Sequence, residues 1–255
     1  MTAIEWLALV VVVALAALGG VCLVRRSRAA SLDPGAMSRA RERRAQRLGW
    51  AYDETVTGDT LFTLRGEQAG VKWKVRYRAN PTQPELRSTL TWATRSVQGG
   101  ATELRLIGRA RYERGKGLVE PVIEKLTSLI LSPRDIHLAQ ARAEFVERTA
   151  PAEVGSPVFR EKFTLLARNN RLARAVVDAK TESLLLHWPH GDGAGRVSIW
   201  LDWQGLRVDV ETPHAAIGEI EHLVEFGLAF ASGYRRHAAA PGVTQFMETR
   251  PGPAA

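Results

Sequence analysis

An unbroken apolar run near the N-terminus, within residues 1–24, is the first pattern in this chain. It reads WLALVVVVALAALGGVCLV and contains no charged side chain. At about 1.5 Å per residue, a helix of this length matches the roughly 30 Å hydrocarbon core of a bilayer. Trp6 suits the interface at one end, and Arg25, Arg26 and Arg28 end the run at the other. The run therefore predicts one transmembrane helix.

Two cleavable leaders fit this run less well. A signal peptide would begin with basic residues, but no Lys or Arg precedes Arg25. A lipoprotein signal would place a small residue before the cysteine, whereas Val21 precedes Cys22. Because positive charge favours the cytoplasmic side, the basic flank predicts an external N-terminus and a cytoplasmic remainder. That flank contains Arg25, Arg26, Arg28, Arg39, Arg41, Arg43, Arg44 and Arg47.

The clearest strand pattern lies at residues 71–78. Apolar and basic residues alternate there: Val71, Trp73, Val75 and Tyr77 with Lys72, Lys74, Arg76 and Arg78. Such a period of two predicts a strand with one face in a core and the other in water. A GEQAG turn joins it to residues 61–65, which predicts a hairpin. Further strands are predicted around residues 86–92 and 104–106.

Helical spacing of apolar residues marks much of the remainder. The pattern predicts helices over residues 119–131 and about 133–149. A helix over residues 37–48 is predicted from its Arg- and Ala-rich composition and from Gly49 as its C-cap, and it has little apolar face. Beyond the segment APAEVGSP, the pattern predicts a strand over 159–167, a helix capped by Asn169 or Asn170, a hairpin of 196–201 with 206–212, and a last helix over 216–234. Residues 184–188 fit a helix or a strand equally.

Together these elements predict an α+β fold, in which one N-terminal transmembrane helix precedes antiparallel sheet and helices in two sub-domains. The predicted segments are a transmembrane helix at 1–24, a basic juxtamembrane linker and helix at 25–49, a basic β-rich domain with a helical hairpin at 50–149, an α+β domain at 150–236 and a disordered tail at 237–255.

Charge is distributed unevenly along the chain, whose net charge is +8. Residues 61–117 hold twelve basic and four acidic residues, whereas residues 118–255 hold fifteen basic and seventeen acidic ones. The positive excess therefore lies in the half nearest the predicted anchor. This gradient indicates electrostatic contact with an anionic membrane leaflet.

Two groups of cations are the candidate contacts for anionic lipid. The juxtamembrane group is Arg25, Arg26, Arg28, Arg39, Arg43, Arg44 and Arg47, and the strand group is Lys72, Lys74, Arg76 and Arg78. Neighbouring strands are expected to add Arg87, Arg95, Arg105, Arg109 and Arg111. Such a face could also hold nucleic acid through phosphate contacts, or it could simply keep a strand soluble.

Catalytic and metal-binding patterns are weak in this sequence. The single cysteine, Cys22, lies in the apolar run, and no serine occupies a G-x-S-x-G turn. His187, His190 and Asp192 cross a proline into a glycine-rich turn without the spacing of a metal site. The RGKG segment at 114–117 lacks the glycine spacing and the hydroxyl of a phosphate loop. No catalytic residue, metal site or cofactor is therefore predicted.

Three segments carry a family resemblance. They are LGW at 48–50, the hairpin LFTLRGEQAGVKWKVRYR at 61–78, and FREKFTLLARNNRLARAVVDAKTESLLLHWP at 159–189, with Phe159 and Phe163 before an Ala-Arg-Ala-Val helix. This layout resembles a family of bacterial single-pass membrane-anchored proteins of unknown function, over about two-thirds of the chain. The matching motifs are structural, so the resemblance implies an inner-membrane location and no catalytic residue.

The sequence therefore predicts a cytoplasmic interaction or scaffold protein held at the bacterial inner membrane, without catalytic activity. Its protein partner stays open. The alternative is a module that binds anionic lipid or nucleic acid through the basic strand face, with nucleic acid the less favoured ligand. An enzyme ranks third, because no catalytic group can be assembled from the sequence.

Overall fold

A computed structural model describes residues 34–54, 59–79, 88–99, 102–115, 133–189, 193–213 and 215–239. The predicted transmembrane helix, the predicted helix at 119–131 and nearly all of the predicted tail lie outside these residues. Within the described ranges, no helix combines the length and apolar character needed to cross a bilayer. The chain divides into two compact units, residues 1–48 and residues 49–255.

Eight strands and eight helices make up the described residues. The strands are β1 (Ala51–Asp53), β2 (Thr60–Gln68), β3 (Val71–Arg78), β4 (Thr89–Thr94), β5 (Thr102–Gly108), β6 (Phe163–Ala167), β7 (Val197–Asp202) and β8 (Gly205–Glu211). The helices are α1 (Pro34–Arg47), α2 (Arg109–Gly115), α3 (Pro133–Arg148), α4 (Pro157–Lys162), α5 (Asn170–Val176), α6 (Ala179–Leu186), α7 (Gly193–Arg196) and α8 (Ile217–Ala238).

All eight strands form one antiparallel sheet, in the order β1-β2-β3-β4-β8-β7-β5-β6. The predicted α+β class with antiparallel sheet is therefore confirmed. The predicted boundary near residue 150 does not separate two sheets, because β5 pairs with β6 and β7 while β4 pairs with β8. Strands from both predicted sub-domains interleave, since cross-strand hydrogen bonds between distant segments leave no lightly connected seam there.

The alternation predicted for β3 is present. Val71, Trp73, Val75 and Tyr77 are buried, while the basic residues between them are exposed or half-buried. The same alternation in β4, β7 and β8 places Leu90, Trp92, Ile199, Val208 and Val210 in the core. We call this side of the sheet the core face. Residues paired directly across adjacent strands lie on the same side of the sheet, because their side chains point the same way.

Helix α8 covers the core face. Its Gly227 lies against the indole ring of Trp92, so closely that a Cβ at residue 227 would come within 2.5 Å of that ring. Gly233 lies similarly close to the backbone of α5. A Cβ at residue 233 would come within 2.4 Å of the Ala175 carbonyl oxygen. Glycine at these positions therefore allows α8 to sit close to both the sheet and α5.

The N-terminal end of α8 is held by a buried polar cluster. The carboxylate of Glu219, 1% exposed, accepts hydrogen bonds from Arg196 at 2.5 Å, Thr212 at 2.8 Å and Trp188 at 3.3 Å. The Arg196 guanidinium supplies the compensating charge. Because a buried carboxylate is costly without partners, this cluster fixes α8 relative to α7 and the end of β8.

Three local predictions differ from the structure or are settled by it. The predicted strand at 159–167 begins as helix α4, because Ser156 caps it by accepting a hydrogen bond from the Phe159 amide and Pro157 favours a first turn. The undecided segment at 184–188 is helical up to Leu186. Asn169 is the cap of α5, through a 2.8 Å hydrogen bond from the Leu172 amide to its side-chain oxygen.

The tight α8 contact gives a test with an internal control. Alanine normally stabilises a helix interior relative to glycine by up to about 1 kcal/mol. Gly218 lies in the first turn of α8 and its added methyl group would meet no atom within 4 Å, so we expect Gly218→Ala to be neutral or mildly stabilising. Gly227→Ala should instead destabilise the protein by about 1–3 kcal/mol, because the new methyl group overlaps Trp92. Denaturant unfolding of both variants would measure this, and equal stabilisation by the two alanines would contradict the packing.

Candidate functional site: a basic sheet face

The side of the sheet opposite the core face carries a connected set of cations. We call it the basic face and define it by its charged residues: Arg65 on β2, Lys72, Lys74, Arg76 and Arg78 on β3, Arg207 on β8 and Arg105 on β5. The pairing of the strands places several of these residues in one line. One cross-strand row runs Arg65, Lys74, Ala93, Arg207, Trp200 and Arg105.

Helices cover only part of this side among the described residues. At the β5–β6 end, Phe145 and Val146 of α3 pack against a small cluster of Ile107, Tyr112 and Leu166. The described helix that packs on β3 and β4 is α8, which lies on the core face. Arg65 and Lys72 are exposed on the basic face. Arg65 and Lys72 are therefore open to solvent, whereas Lys74, Arg76 and Arg78 are half-buried.

Cations on β3 repel one another. Burial and then the positive charges of Arg76 and Arg65 lower the pKa of Lys74, while Asp53 opposes the shift. Burial and then the charges of Arg78 and Arg207 lower the pKa of Arg76. Burial is the largest cause of both shifts, and the charged groups that act on Lys74 and Arg76 are mainly cations.

Carboxylates neutralise the basic face in part. Lys72 lies 4.0 Å from Glu67, and Arg78 lies 3.8 Å from Asp59, both as exposed pairs. Such pairs contribute little free energy and are screened by salt. Asp209 is the stronger partner, because it binds Arg207 at 2.7 Å and accepts a 2.6 Å hydrogen bond from the Thr91 hydroxyl.

Trp200 forms a second feature of the basic face. The guanidinium carbon of Arg105 lies 3.8 Å from the centroid of its ring, and that of Arg142 on α3 lies 4.8 Å away. Arg142 also binds the buried carboxylate of Asp202 at 2.6 Å. Burial and then the charges of Arg111 and Arg142 lower the pKa of Arg105 to about 9. The aromatic ring partly compensates two crowded cations.

The predicted lipid-contact residues lie in different parts of the protein. Arg25, Arg26, Arg28 and Arg87 lie outside the described residues. Lys72, Lys74, Arg76 and Arg78 share the predicted face of β3. In the separate unit of residues 1–48, helix α1 carries Arg39, Arg43 and Arg47 exposed and Arg44 half-buried.

The prediction that neighbouring strands carry further cations is only partly right. Arg105 lies on β5, but Arg109 and Arg111 belong to helix α2, because the chain leaves the sheet at Gly108. A Cβ at residue 108 would lie 1.6 Å from the Ala194 carbonyl oxygen, so α7 abuts the chain there. Arg109 donates to the Arg160 carbonyl at 2.9 Å, and Arg111 binds Glu211 at 2.8 Å.

Sequence reasoning missed Arg65, Arg207, Trp200 and Arg142. The signal for Arg207 was present, because Leu206, Val208 and Val210 alternate with Arg207 and Asp209 along β8. Arg142 had no comparable signal, since its role depends on where α3 lies on the sheet.

Metal-ligating side chains are not clustered among the described residues. No three His, Cys, Asp or Glu side chains lie together as a metal site within those ranges. Nδ1 of His187 lies 2.9 Å from the Ser183 carbonyl oxygen, within hydrogen-bond distance. His190 and Asp192 lie outside the described residues. An open cavity of about 560 Å³ is lined by Thr102, Phe145, Arg148, Thr149, Ala150, Ala167, Arg168, Asn169 and Asn170, which include no carboxylate, imidazole or thiol.

Comparisons with known proteins add no further constraint: no family model, curated protein or solved structure matches the chain. The case for a function therefore rests on the geometry and charge of the basic face.

Charge crowding on β3 gives a direct test. In Arg76→Gln, the pKa of Lys74 should rise, because the largest neighbouring positive charge acting on it is removed. The control is Arg174→Gln, an exposed residue of α5 that is absent from the causes acting on Lys74. NMR titration of isotopically methylated lysines would report the shift. An unchanged Lys74 titration in Arg76→Gln would contradict the crowding.

Proposed function

We propose that this protein is a single-pass membrane-anchored, non-catalytic interaction protein whose basic face contacts the anionic headgroups of the bilayer that holds it. The observation that carries the proposal is the row of cations on β2, β3 and β8, where Lys74 and Arg76 are surrounded mainly by positive charge. An anionic surface would relieve that repulsion.

Magnitudes support a membrane as the partner. Each Lys or Arg close to an anionic leaflet contributes about 1 kcal/mol of attraction at physiological salt. A tether adds to this by holding the folded unit at high effective concentration beside the lipid. The apolar run at 6–24 and its arginine flank support such a tether. Several weak contacts then suffice for a stable arrangement.

Nucleic acid is a poorer fit to the same face. Proteins that bind single strands without sequence preference combine cations with aromatic faces on which bases stack. The aromatic residue of the cross-strand row is Trp200, and its ring is already in contact with the Arg105 and Arg142 guanidinium groups. Phosphate contacts alone would give only salt-sensitive, non-specific binding.

Lipid contact can be tested with residues 49–255, which form a compact unit of their own. We expect this fragment to co-sediment with anionic vesicles and to bind neutral vesicles far less. Lys74→Gln with Arg76→Gln should weaken anionic binding by about 30-fold, which corresponds to losing roughly 2 kcal/mol from two surface cations.

The matched control removes the same charge from the opposite side of the molecule. Arg171→Gln with Arg174→Gln alters two exposed residues of α5, the helix packed beside α8. We expect this pair to retain most of the vesicle binding. Equal losses in both double variants, or equal binding to anionic and neutral vesicles, would overturn lipid contact and leave a protein partner as the function.

The location can be tested separately from the lipid contact. We propose an inner-membrane protein with its N-terminus outside and residues 49–255 in the cytoplasm, on the asymmetry of the arginine flank. A cytoplasm-active reporter fused after Ala255 should give signal, and alkaline phosphatase fused there should be inactive. Phosphatase activity with a silent cytoplasmic reporter would reverse the orientation.

A further inference from the structure

We propose that Arg105, together with Arg111 and Arg207, forms a site on the basic face for one phosphomonoester group, supplied by a lipid headgroup. This inference rests on the proposed lipid contact and narrows it from general charge attraction to one chemical group. The site lies on β5 and its neighbours, several strands away from Lys74 and Arg76.

Arg105 differs from the guanidinium groups around it. Arg111 binds Glu211 at 2.8 Å, Arg142 binds Asp202 at 2.6 Å and Arg207 binds Asp209 at 2.7 Å. No described carboxylate binds Arg105, and its buried Nη1 has no hydrogen-bond acceptor. Native proteins rarely leave a buried donor of this kind without a partner. The missing acceptor is therefore the first reason to place an anion here.

Surrounding charge points to the same conclusion. The ring of Trp200, 3.8 Å from the guanidinium carbon, attracts the cation but supplies no hydrogen-bond acceptor. Burial and the neighbouring arginines lower the pKa of Arg105. An anion that accepted hydrogen bonds from Arg105 would raise that pKa and relieve the repulsion.

The arrangement favours phosphate over a carboxylate. Each neighbouring arginine already has one carboxylate, so a ligand must bring enough charge to interact with several cations at once. A phosphomonoester carries nearly two negative charges at neutral pH and three acceptor oxygens, which suit the forked donors of arginine. The phosphodiester of an ordinary anionic lipid carries one charge and has fewer free oxygens.

The solvent-exposed side chain of Arg111 on α2 is the first point of contact for the ligand. Arg111, which has the strongest electrostatic effect on Arg105 among its charged neighbours, forms an exposed pair with Glu211. The two side chains are 44% and 54% exposed. Exposed pairs of this kind exchange partners at little cost. An incoming phosphate can therefore engage Arg111 without disrupting the core.

The test uses the full chain in neutral nanodiscs, with inorganic phosphate as the soluble probe and chloride at matched ionic strength as the reference. We expect one phosphate to bind per chain, as measured by calorimetry. Arg105→Gln should weaken binding at least 10-fold. Arg105→Lys should recover only part of it, because an ammonium group lacks the forked donors.

Two further variants keep the result interpretable. Arg111→Gln alters an exposed side chain, so it should fold normally and weaken phosphate binding several-fold. Lys74→Gln with Arg76→Gln should leave phosphate binding within about twofold while weakening general vesicle binding. The reverse pattern, in which only the β3 variant loses phosphate, would overturn this site and leave the proposed lipid contact standing.

Lipid composition distinguishes the sources of the phosphate. Nanodiscs that contain phosphatidic acid should bind residues 49–255 at least 5-fold more tightly than nanodiscs that contain phosphatidylglycerol at equal net charge. Arg105→Gln should abolish this preference. Binding of inorganic phosphate without a preference for phosphatidic acid would overturn the lipid assignment, and no phosphate binding above chloride would overturn the site itself.

Discussion

Helix α8 lies against the sheet with Gly227 on the indole ring of Trp92, and this contact covers the apolar side of the sheet. Burial of large apolar side chains stabilises folding in proportion to the area removed from water. Trp92 and Phe226 are both fully buried. Once α8 occupies one face, the period-two geometry of every strand directs the intervening residues to the other face.

The position of the cations follows from that choice. A register slip of one residue in β3 would exchange Val75 for a cation in the core, which burial energetics forbid. Because β3 pairs with β4 and β4 pairs with β8, the core-facing residues of these strands lie on one side of the sheet and the intervening residues on the other. The crowding of Lys74, Arg76 and Arg207 is thus a consequence of sheet register. A surface with this much unneutralised charge is sensitive to anions and to salt.

One buried carboxylate lies on each side of the sheet, and each fixes the position of a helix there. Glu219 connects α8 to Arg196 on the core side, and Asp202 connects the end of β7 to Arg142 of α3. Removing one partner from such a buried pair typically costs about 3–5 kcal/mol, because a charge is left without compensation. The Asp202–Arg142 pair holds α3 against the sheet and keeps Arg142 near Trp200.

Sequence by itself determined the local elements and the polarity of individual strands. The alternation at 71–78, the hairpin around Gln204-Gly205 and the Asn169 cap were all readable, because each depends on neighbours within a few residues. The apolar run at 6–24 and its arginine flank likewise predict an anchor from a pattern that needs no tertiary contact.

Tertiary structure alone decided how those elements combine. The order of strands inserts β5 between β6 and β7, so the expected boundary near residue 150 does not divide the sheet. The same order placed Arg105 against Trp200, in one cross-strand row with Arg207, and left its Nη1 without an acceptor. Pairing partners separated by about a hundred residues are chosen by global packing, which short-range periodicity does not encode.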